Sequence, residues 1–491
     1  MPGQDRVGLT TIVDPMTLVT GTGEVPRPKG VCDVDVMSVL DAGFLAAETR
    51  TRPMHVGSLQ LFEPPAGVDR DEVATLYREA LEHTEVHPRL ARRPRHGPSG
   101  LFLWETVEDI DLGYHFRHSA LPRPGTIKEL LVLVSRLHAQ LLDRSRPLWE
   151  AHLIEGLVDG RFAIYTKVHH SLVDGISGLG MMEKAMSTDP DERGMPPFYA
   201  ATPSERRRRS GGGLPNPLSL ARSAVSGTTT VLTQSAQASY GAIRDGLTTD
   251  GTVMPIGAPT TLLNRKIGAA RRFAADYWPL ERIKAVQEAT GATMNDVVTA
   301  VCGGAMRSYL IEEDALPEAP LVAFVPLSLR TKDDDGNDGG NKLGLILANL
   351  ATHLPDAADR FALTRASLDE AKGRMSGIGQ VAAMVMGAPS LLPLIAAPYV
   401  PTQAGVRGFN LVISNVPGPR EPLYWNGARM TEIYPVSIVS DDMALNITLC
   451  TYDGKVQFGF IGDRDAVPHL QRLLVHTENA LVDLEKAVGI T

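Results

Sequence analysis

The residues best suited to chemistry lie in one short run, His169-His170-Ser171-Leu172-Val173-Asp174-Gly175. It offers two imidazoles that can take a proton near neutral pH, a carboxylate and a turn-making glycine. That set suits base-assisted acyl transfer. At ordinary residue usage the pattern HHxxxDG arises by chance in roughly one chain in a thousand of this size. The preceding residues, Phe162-Ala163-Ile164-Tyr165-Thr166-Lys167-Val168, are β-branched and aromatic and contain no breaker, so they read as a strand that delivers both histidines at its end. Neighbouring strand residues face opposite ways. Only one histidine can therefore line a given cavity while the other packs behind it. His170 shares the face of Ile164, Thr166 and Val168 and is the expected base; His169 supports it. Metal ligation is the weaker reading, because no third ligand stands at metal-like spacing and Cys32, Cys302 and Cys450 are scattered. The glycines of Gly175-Ile176-Ser177-Gly178-Leu179-Gly180 match neither GxGxxG nor a phosphate-binding loop, which argues against a nucleotide site there. No GxSxG elbow is present, so direct transfer is favoured over a serine acyl-enzyme.

Other segments must position this run. Pro147-Leu148-Trp149-Glu150 leads into a strand through Ala151-His152-Leu153-Ile154, with Trp149 as a packing anchor. A helix follows the Asp-Gly turn over Ile176 to Met186. Asn295-Asp296 opens another, with Val297, Val298, Val301, Cys302, Ala305, Met306, Tyr309 and Leu310 on one apolar stripe and Thr293 with Asp296 spaced as a capping box. Asn410 to Ile413 reads as a strand running into Ser414-Asn415-Val416-Pro417-Gly418-Pro419, where two prolines about a glycine fix a rigid turn.

At 491 residues the chain exceeds what one core usually organises, and 43% hydrophobic content is ample for two. The expected division is an N-terminal extension over 1–30, a first subdomain over 31–185, a linker or crossover over 186–266 and a second subdomain over 267–491. The linker carries Pro190, Pro196, Pro197 and Pro203, the run Arg206-Arg207-Arg208-Arg209 and Gly211-Gly212-Gly213. Within it, Leu218 to Leu247 reads as a small-residue helix along the surface. A net charge of -9 argues against nucleic acid as a partner. Three unpatterned cysteines suit a reducing compartment, and no apolar run of signal-peptide length precedes Pro26.

Two features bear on membranes. The four arginines are either a solvated loop or an attractor of anionic lipid, worth about 1 kcal/mol per basic residue near a charged surface. No charged residue lies between Arg374 and Arg407, a span long enough to cross a bilayer. Pro389, Pro393, Pro398 and Pro401 rule against one straight spanning helix. Two short apolar helices fit better, either as core or as a patch that dips into a lipid surface.

HHSLVDG resembles the signature of the CoA-dependent acyltransferase superfamily. Met37-Ser38-Val39-Leu40-Asp41-Ala42-Gly43-Phe44-Leu45, Pro147-Leu148-Trp149-Glu150, Asn295-Asp296-Val297-Val298 and Ser414 to Pro419 narrow the likeness to the bacterial wax ester synthase/diacylglycerol acyltransferase family, over almost the whole chain. The resemblance implies an α/β fold of two chloramphenicol acetyltransferase-like subdomains joined by a crossover linker, with the active site in a tunnel between them. It implies long-chain fatty acyl-CoA as donor, diacylglycerol or a long-chain alcohol as acceptor, no cofactor and no metal. His170 is then the base on the acceptor hydroxyl, and Asp174 and Gly175 hold its loop. Asn295 is the candidate oxyanion donor and site-shaping contact, with Asp296 in support. Peripheral association with the cytoplasmic side of a membrane or with lipid droplets follows; oligomeric state is left open. Alternatives are an acyltransferase for another hydroxyl or amine acceptor and a non-catalytic lipid-droplet-binding protein.

Overall fold

The structure, a computed structural model, describes residues 34–65, 67, 70–97, 102–173, 175–200, 258–328, 343–376 and 407–490. Chain order begins β1 (Val34–Val36), α1 (Val39–Ala47), β2 (His55–Glu63), α2 (Arg70–Glu82), β3 (Arg92–His96), β4 (Phe102–Thr106), α3 (Leu112–His115), β5 (Phe116–Ala120), α4 (Ile127–His138), β6 (Trp149–Glu155), β7 (Phe162–His169) and α5 (Gly175–Lys184). It continues β8 (Arg271–Pro279), α6 (Leu280–Thr290), α7 (Met294–Glu312), β9 (Val322–Ser328), β10 (Leu343–Asn349), α8 (Ala357–Ser376), β11 (Leu411–Val416), β12 (Tyr424–Trp425), β13 (Ala428–Val436), β14 (Leu445–Tyr452), β15 (Lys455–Asp463) and α9 (Arg472–Ala487).

Among the described residues these strands form a six-stranded sheet in the order β12-β13-β2-β7-β6-β5, a second of six in the order β10-β9-β11-β14-β15-β8, and a small sheet β1-β4-β3. The first sheet is not built from the first half of the chain alone. β13 pairs antiparallel with β2, Tyr434 opposite Leu59 and Val436 opposite Gly57, so residues inside the 267–491 segment complete it. The described part of the 186–266 segment divides similarly: Ser187 bridges Tyr424 and Ala200 bridges Val86, whereas Asn264 donates to the Asp442 carbonyl at 2.8 Å.

β7 is buried on both faces, which explains an apolar run without alternation. Phe162, Ile164 and Val168 enter a core with Phe62, Leu153 and Trp425. Ala163 and Tyr165 face the other way, into a larger core that continues through Phe273, Tyr434 and Phe458 in the second half. Fully burying a side chain of Phe162's kind stabilises by about 1.5–3 kcal/mol. The halves also meet where α4 lies on β8, with the Phe273 N–H donating to Ser135 Oγ at 2.9 Å. α4 starts at a capping box, Thr126 with Glu129.

α7 opens with the expected capping box of Thr293 and Asp296, but it is enclosed nearly all round over 296–306 rather than along one stripe. Gly303 and Gly304 permit this. A Cβ on Gly303 would sit 2.6 Å from the Leu350 carbonyl oxygen, and one on Gly304 would sit 2.9 Å from Ala480 Cβ of α9.

Candidate active site

Both histidines stand at the end of β7, in different surroundings. His169 is fully buried, opposite His55 of β2. Its Nδ1 faces the Ser171 N–H at 3.1 Å and Ser171 Oγ at 2.6 Å. A backbone N–H can only donate, so Nδ1 is the acceptor and the ring proton sits on Nε2. Nε2 lies 3.3 Å from Glu48 Oε2, off the line of a good hydrogen bond, so the contact is chiefly electrostatic. His170 is partly exposed, and its ring stacks on Phe44 with centroids 4.3 Å apart and planes at 15°. Its backbone N–H donates to the Met54 carbonyl at 2.8 Å, and the Leu172 N–H closes the turn on His169 O at 2.9 Å. Gly175 opens α5; Asp174 lies outside the described residues.

Phe44 lies in α1 and Glu48 is its C-cap residue, four positions later, so one helical turn of chain touches both histidines. Oε1 of Glu48 receives Arg144 through Nε at 3.1 Å and Nη2 at 3.0 Å, and Oε2 receives the Met54 N–H at 3.1 Å. Burial by itself would raise the Glu48 carboxyl, but His169, Met54 and Arg144 outweigh it and hold it below its ordinary value. Neither Glu48 nor Arg144 was marked by sequence reasoning. The signal available was Glu48's helical spacing from Phe44.

Behind His169, on the same face of β7, Lys167 is wholly enclosed. Its Nζ donates to the carbonyls of Leu137 (3.1 Å), in the last turn of α4, and Gln140 (3.0 Å), just beyond its end, and pairs with Glu150 at 3.3 Å. Burial alone would raise the Glu150 carboxyl; His152, Lys167 and Arg117 together bring it down to about 2. His138 spans the seam between halves. Its Nε2 faces the Ser437 carbonyl at 3.0 Å and must donate, which leaves Nδ1 to accept from the Tyr165 hydroxyl at 2.8 Å. Burial pushes its pKa down to about 3. Trp149 is a packing anchor, buried against His115 and Tyr199 with its Nε1–H donating to Leu90 O at 2.9 Å.

In the second half, Asn415 Nδ2 donates to Asn295 Oδ1 at 2.7 Å, which joins two of the motifs. Asn415 belongs to β11, which runs on to Val416 beside β14 instead of stopping at Ile413 as its local pattern suggested. The Pro417-Gly418-Pro419 turn then passes so close to Cys450 and the Thr451 carbonyl that a side chain at Gly418 would collide with both. Asp296 Oδ2 accepts the Thr293 N–H at 2.8 Å and Oδ1 pairs with Lys372 of α8 at 2.7 Å. Burial opposes ionisation of Asp296, and Lys372 and Thr293 overcome it, so its carboxyl sits below the usual value. The described contacts thus use Asp296 as a helix cap and a tie to α8. On the even-numbered face of β7 lies an apolar cleft lined by Ile164, Phe62, Phe116, Met182, Met186 and Trp425. No cluster that could hold a metal ion occurs among the described residues.

Two sheet-rich α/β halves with a histidine pair at a central strand's end place the chain in the condensation-domain-like fold class. The first condensation domain of the calcium-dependent antibiotic synthetase superposes with a TM-score of 0.56 at 19% identity, covering 93% of this chain and 96% of that one, a likeness of fold alone. The particular family is clear from closer matches. The wax ester synthase/diacylglycerol acyltransferase catalytic domain matches residues 37–298, and the C-terminal domain of the same family matches 339–485. A Mycobacterium tuberculosis protein named for diacylglycerol O-acyltransferase activity is 49% identical over 473 residues, covering 92% of this chain and 100% of its own. The Acinetobacter baylyi O-acyltransferase WSD is 40% identical over 458 residues, 92% of this chain and 97% of its own. The wax ester synthase/diacylglycerol acyltransferase of Marinobacter aquaeolei VT8 superposes with a TM-score of 0.74 at 42% identity, covering 93% of this chain and 100% of that one. This chain belongs to the wax ester synthase/diacylglycerol acyltransferase family and is an acyl-CoA-dependent O-acyltransferase.

Proposed function

We propose that the chain transfers a long-chain acyl group from acyl-CoA to the free hydroxyl of diacylglycerol, forming triacylglycerol, and that it also esterifies long-chain alcohols. The division of the histidine pair carries this reading. His169 is enclosed by Glu48 and Ser171, while His170 is partly exposed on the Phe44 ring. An alcohol is a weak nucleophile at neutral pH and needs a positioned base. The His170 imidazole takes the hydroxyl proton as the alcohol oxygen bonds to the thioester carbon. Collapse of the tetrahedral intermediate breaks the C–S bond, and the imidazolium returns the proton to the departing CoA thiolate. The Asn295 amide is our candidate donor to the oxyanion. Asp174 and Gly175 hold the loop, and Asp296 braces Asn295 from behind. Both substrates would meet in a tunnel between a first subdomain over 31–185 and a second over 267–491.

Diacylglycerol reaches such a site most directly from a lipid surface, so we place the enzyme peripherally on the cytoplasmic side of a membrane or on droplets. The segments we assign to docking, Arg206 to Arg209 and Val381 to Val400, lie outside the described residues. Among those described, no helix is long and apolar enough to cross a membrane.

The test is purified enzyme with palmitoyl-CoA and an equal supply of dioleoylglycerol and hexadecanol, with released thiol measured and lipid products separated. Triacylglycerol should dominate, with wax ester as a minor product. Wax ester alone would make alcohols the substrate class, and no thiol release with either acceptor would sink the proposal. His170→Ala should lose ~10²- to 10⁴-fold in rate with unaltered circular dichroism. His169→Ala should lose less; the reverse order would exchange their roles.

A further inference from the structure

We propose that Glu48 is a positioning residue for acyl transfer, acting on His170 through the ring of His169. The inference deepens the assignment of His170 as base and rests on it. The geometry forms a chain of fixed contacts. Arg144 and the Met54 N–H hold the Glu48 carboxylate from two sides, and Arg144 Nη2 also donates to the Leu45 carbonyl at 2.6 Å, tying it to the end of α1. The carboxylate therefore has little freedom. Its Oε2 faces His169 Nε2, and a negative charge there favours the tautomer with the proton on Nε2. In that tautomer, and in no other, Nδ1 can accept both the N–H and the hydroxyl of Ser171. Ser171 is the residue after His170, so its two bonds to His169 set the backbone of the turn that presents His170. The opposite side of the same residue is set by Phe44, one helical turn before Glu48, whose ring lies flat on the His170 imidazole.

Moving the His169 proton to Nδ1 would set a ring N–H against the Ser171 N–H. The turn would then have to shift, and the His170 ring would slide on Phe44. A base must stay within about 2.6–3.2 Å of the proton it removes, so a small displacement costs rate while leaving substrate binding largely intact. A carboxylate that only contributed to stability would have no such selective effect.

The experiment compares wild type with Glu48→Gln, which keeps the size of the side chain and removes its charge. Three quantities are measured: kcat and KM for palmitoyl-CoA, thermal midpoint, and the ¹⁵N shifts of ¹⁵N-histidine-labelled protein, with His169 assigned by its absence in His169→Ala. In wild type His169 should show a protonated Nε2 and an unprotonated Nδ1. In Glu48→Gln it should show mixed tautomers, with kcat down roughly 10- to 100-fold, by analogy with the loss typical when the outer partners of metal-bound histidines are removed, and KM within about twofold. Adding Ser171→Ala should cost less in Glu48→Gln than in wild type, because both act through one ring. A folded Glu48→Gln protein with wild-type kcat and a wild-type His169 tautomer overturns the proposal, as does full additivity with Ser171→Ala. Where Glu48→Gln does not fold, Glu48→Asp, which withdraws the charge by one methylene, is read by the same criteria. Should wild type transfer no acyl group at all, the functional reading fails while the tautomer shift still reports on Glu48.

Discussion

Replacing Lys167 with methionine removes a cation buried in the first sheet and leaves its partners in place. The ammonium holds the carbonyls of Leu137 and Gln140 and pairs with Glu150 at 3.3 Å. After the change, Glu150 keeps Arg117 at 3.5 Å and His152 at 3.7 Å, and its side chain is only 6% exposed. Breaking a buried pair from one side typically costs about 3–5 kcal/mol when the remaining charge is left uncompensated; with Arg117 still beside Glu150 the cost should lie toward the lower end of that range. Against a total stability of about 5–15 kcal/mol that is a large fraction. The double variant Lys167→Met/Glu150→Gln removes both charges and leaves Arg117, which is 34% exposed, to water. It should therefore be more stable than Lys167→Met alone, by about 1–3 kcal/mol. Thermal midpoints at one scan rate and residual thiol release after heating would measure both effects. A Lys167→Met protein as stable as wild type, or a double variant no better than the single, would refute the buried-pair argument.

Three other outcomes are expected. His138 has a folded pKa of about 3 against 6.5 unfolded, so the unfolded chain binds more protons between those values and stability, complete above pH 6.5, falls on acidification by about 1.4 kcal/mol per pH unit. The midpoint measured from pH 7.5 to 5 should fall accordingly, and His138→Gln should flatten that slope; an unchanged slope would show that His138 is not its source. Asp296→Ala should cost about 1–2 kcal/mol through the lost cap of α7 and the lost Lys372 pair, with kcat within a few-fold of wild type; a hundredfold fall in kcat at unchanged stability would place the carboxylate in the chemistry instead. Changing Arg206 to Arg209 to serine should weaken flotation with anionic vesicles as added salt does, whereas Leu391→Ser with Leu392→Ser should weaken it on neutral vesicles too; flotation unaffected by either change would mean that acceptor arrives by another route.

The parts of the site legible in sequence were those set by local physics. A breaker-free β-branched run announced β7, a threonine three residues before an aspartate announced α7, and a tryptophan after Pro-Leu announced a buried anchor. What escaped depends on partners far along the chain. Arg144 meets Glu48 across 96 positions, and Thr431 of β13 bonds to the Leu61 carbonyl across 370. No periodicity records such pairings. β11 outran its expected end because β14 supplies a parallel partner as far as Val416. The single stripe expected on α7 became all-round burial because two adjacent glycines let α9 and the chain at Leu350 close on it.

The completion of the first sheet by β13 has a consequence for the protein's birth on the ribosome. Once His169 has been made, β2, β7 and β6 can pair, but β2 still lacks its outer neighbour. That neighbour begins at Ala428 and is made roughly 15–50 s later at ordinary elongation rates of about 5–20 residues per second. Through that interval β2, carrying Leu59, Leu61 and Phe62, is an apolar edge open to any other nascent strand. The nascent chain should therefore engage holding chaperones until β13 emerges. A gene truncated before Ala428 should yield aggregate rather than a shorter soluble enzyme.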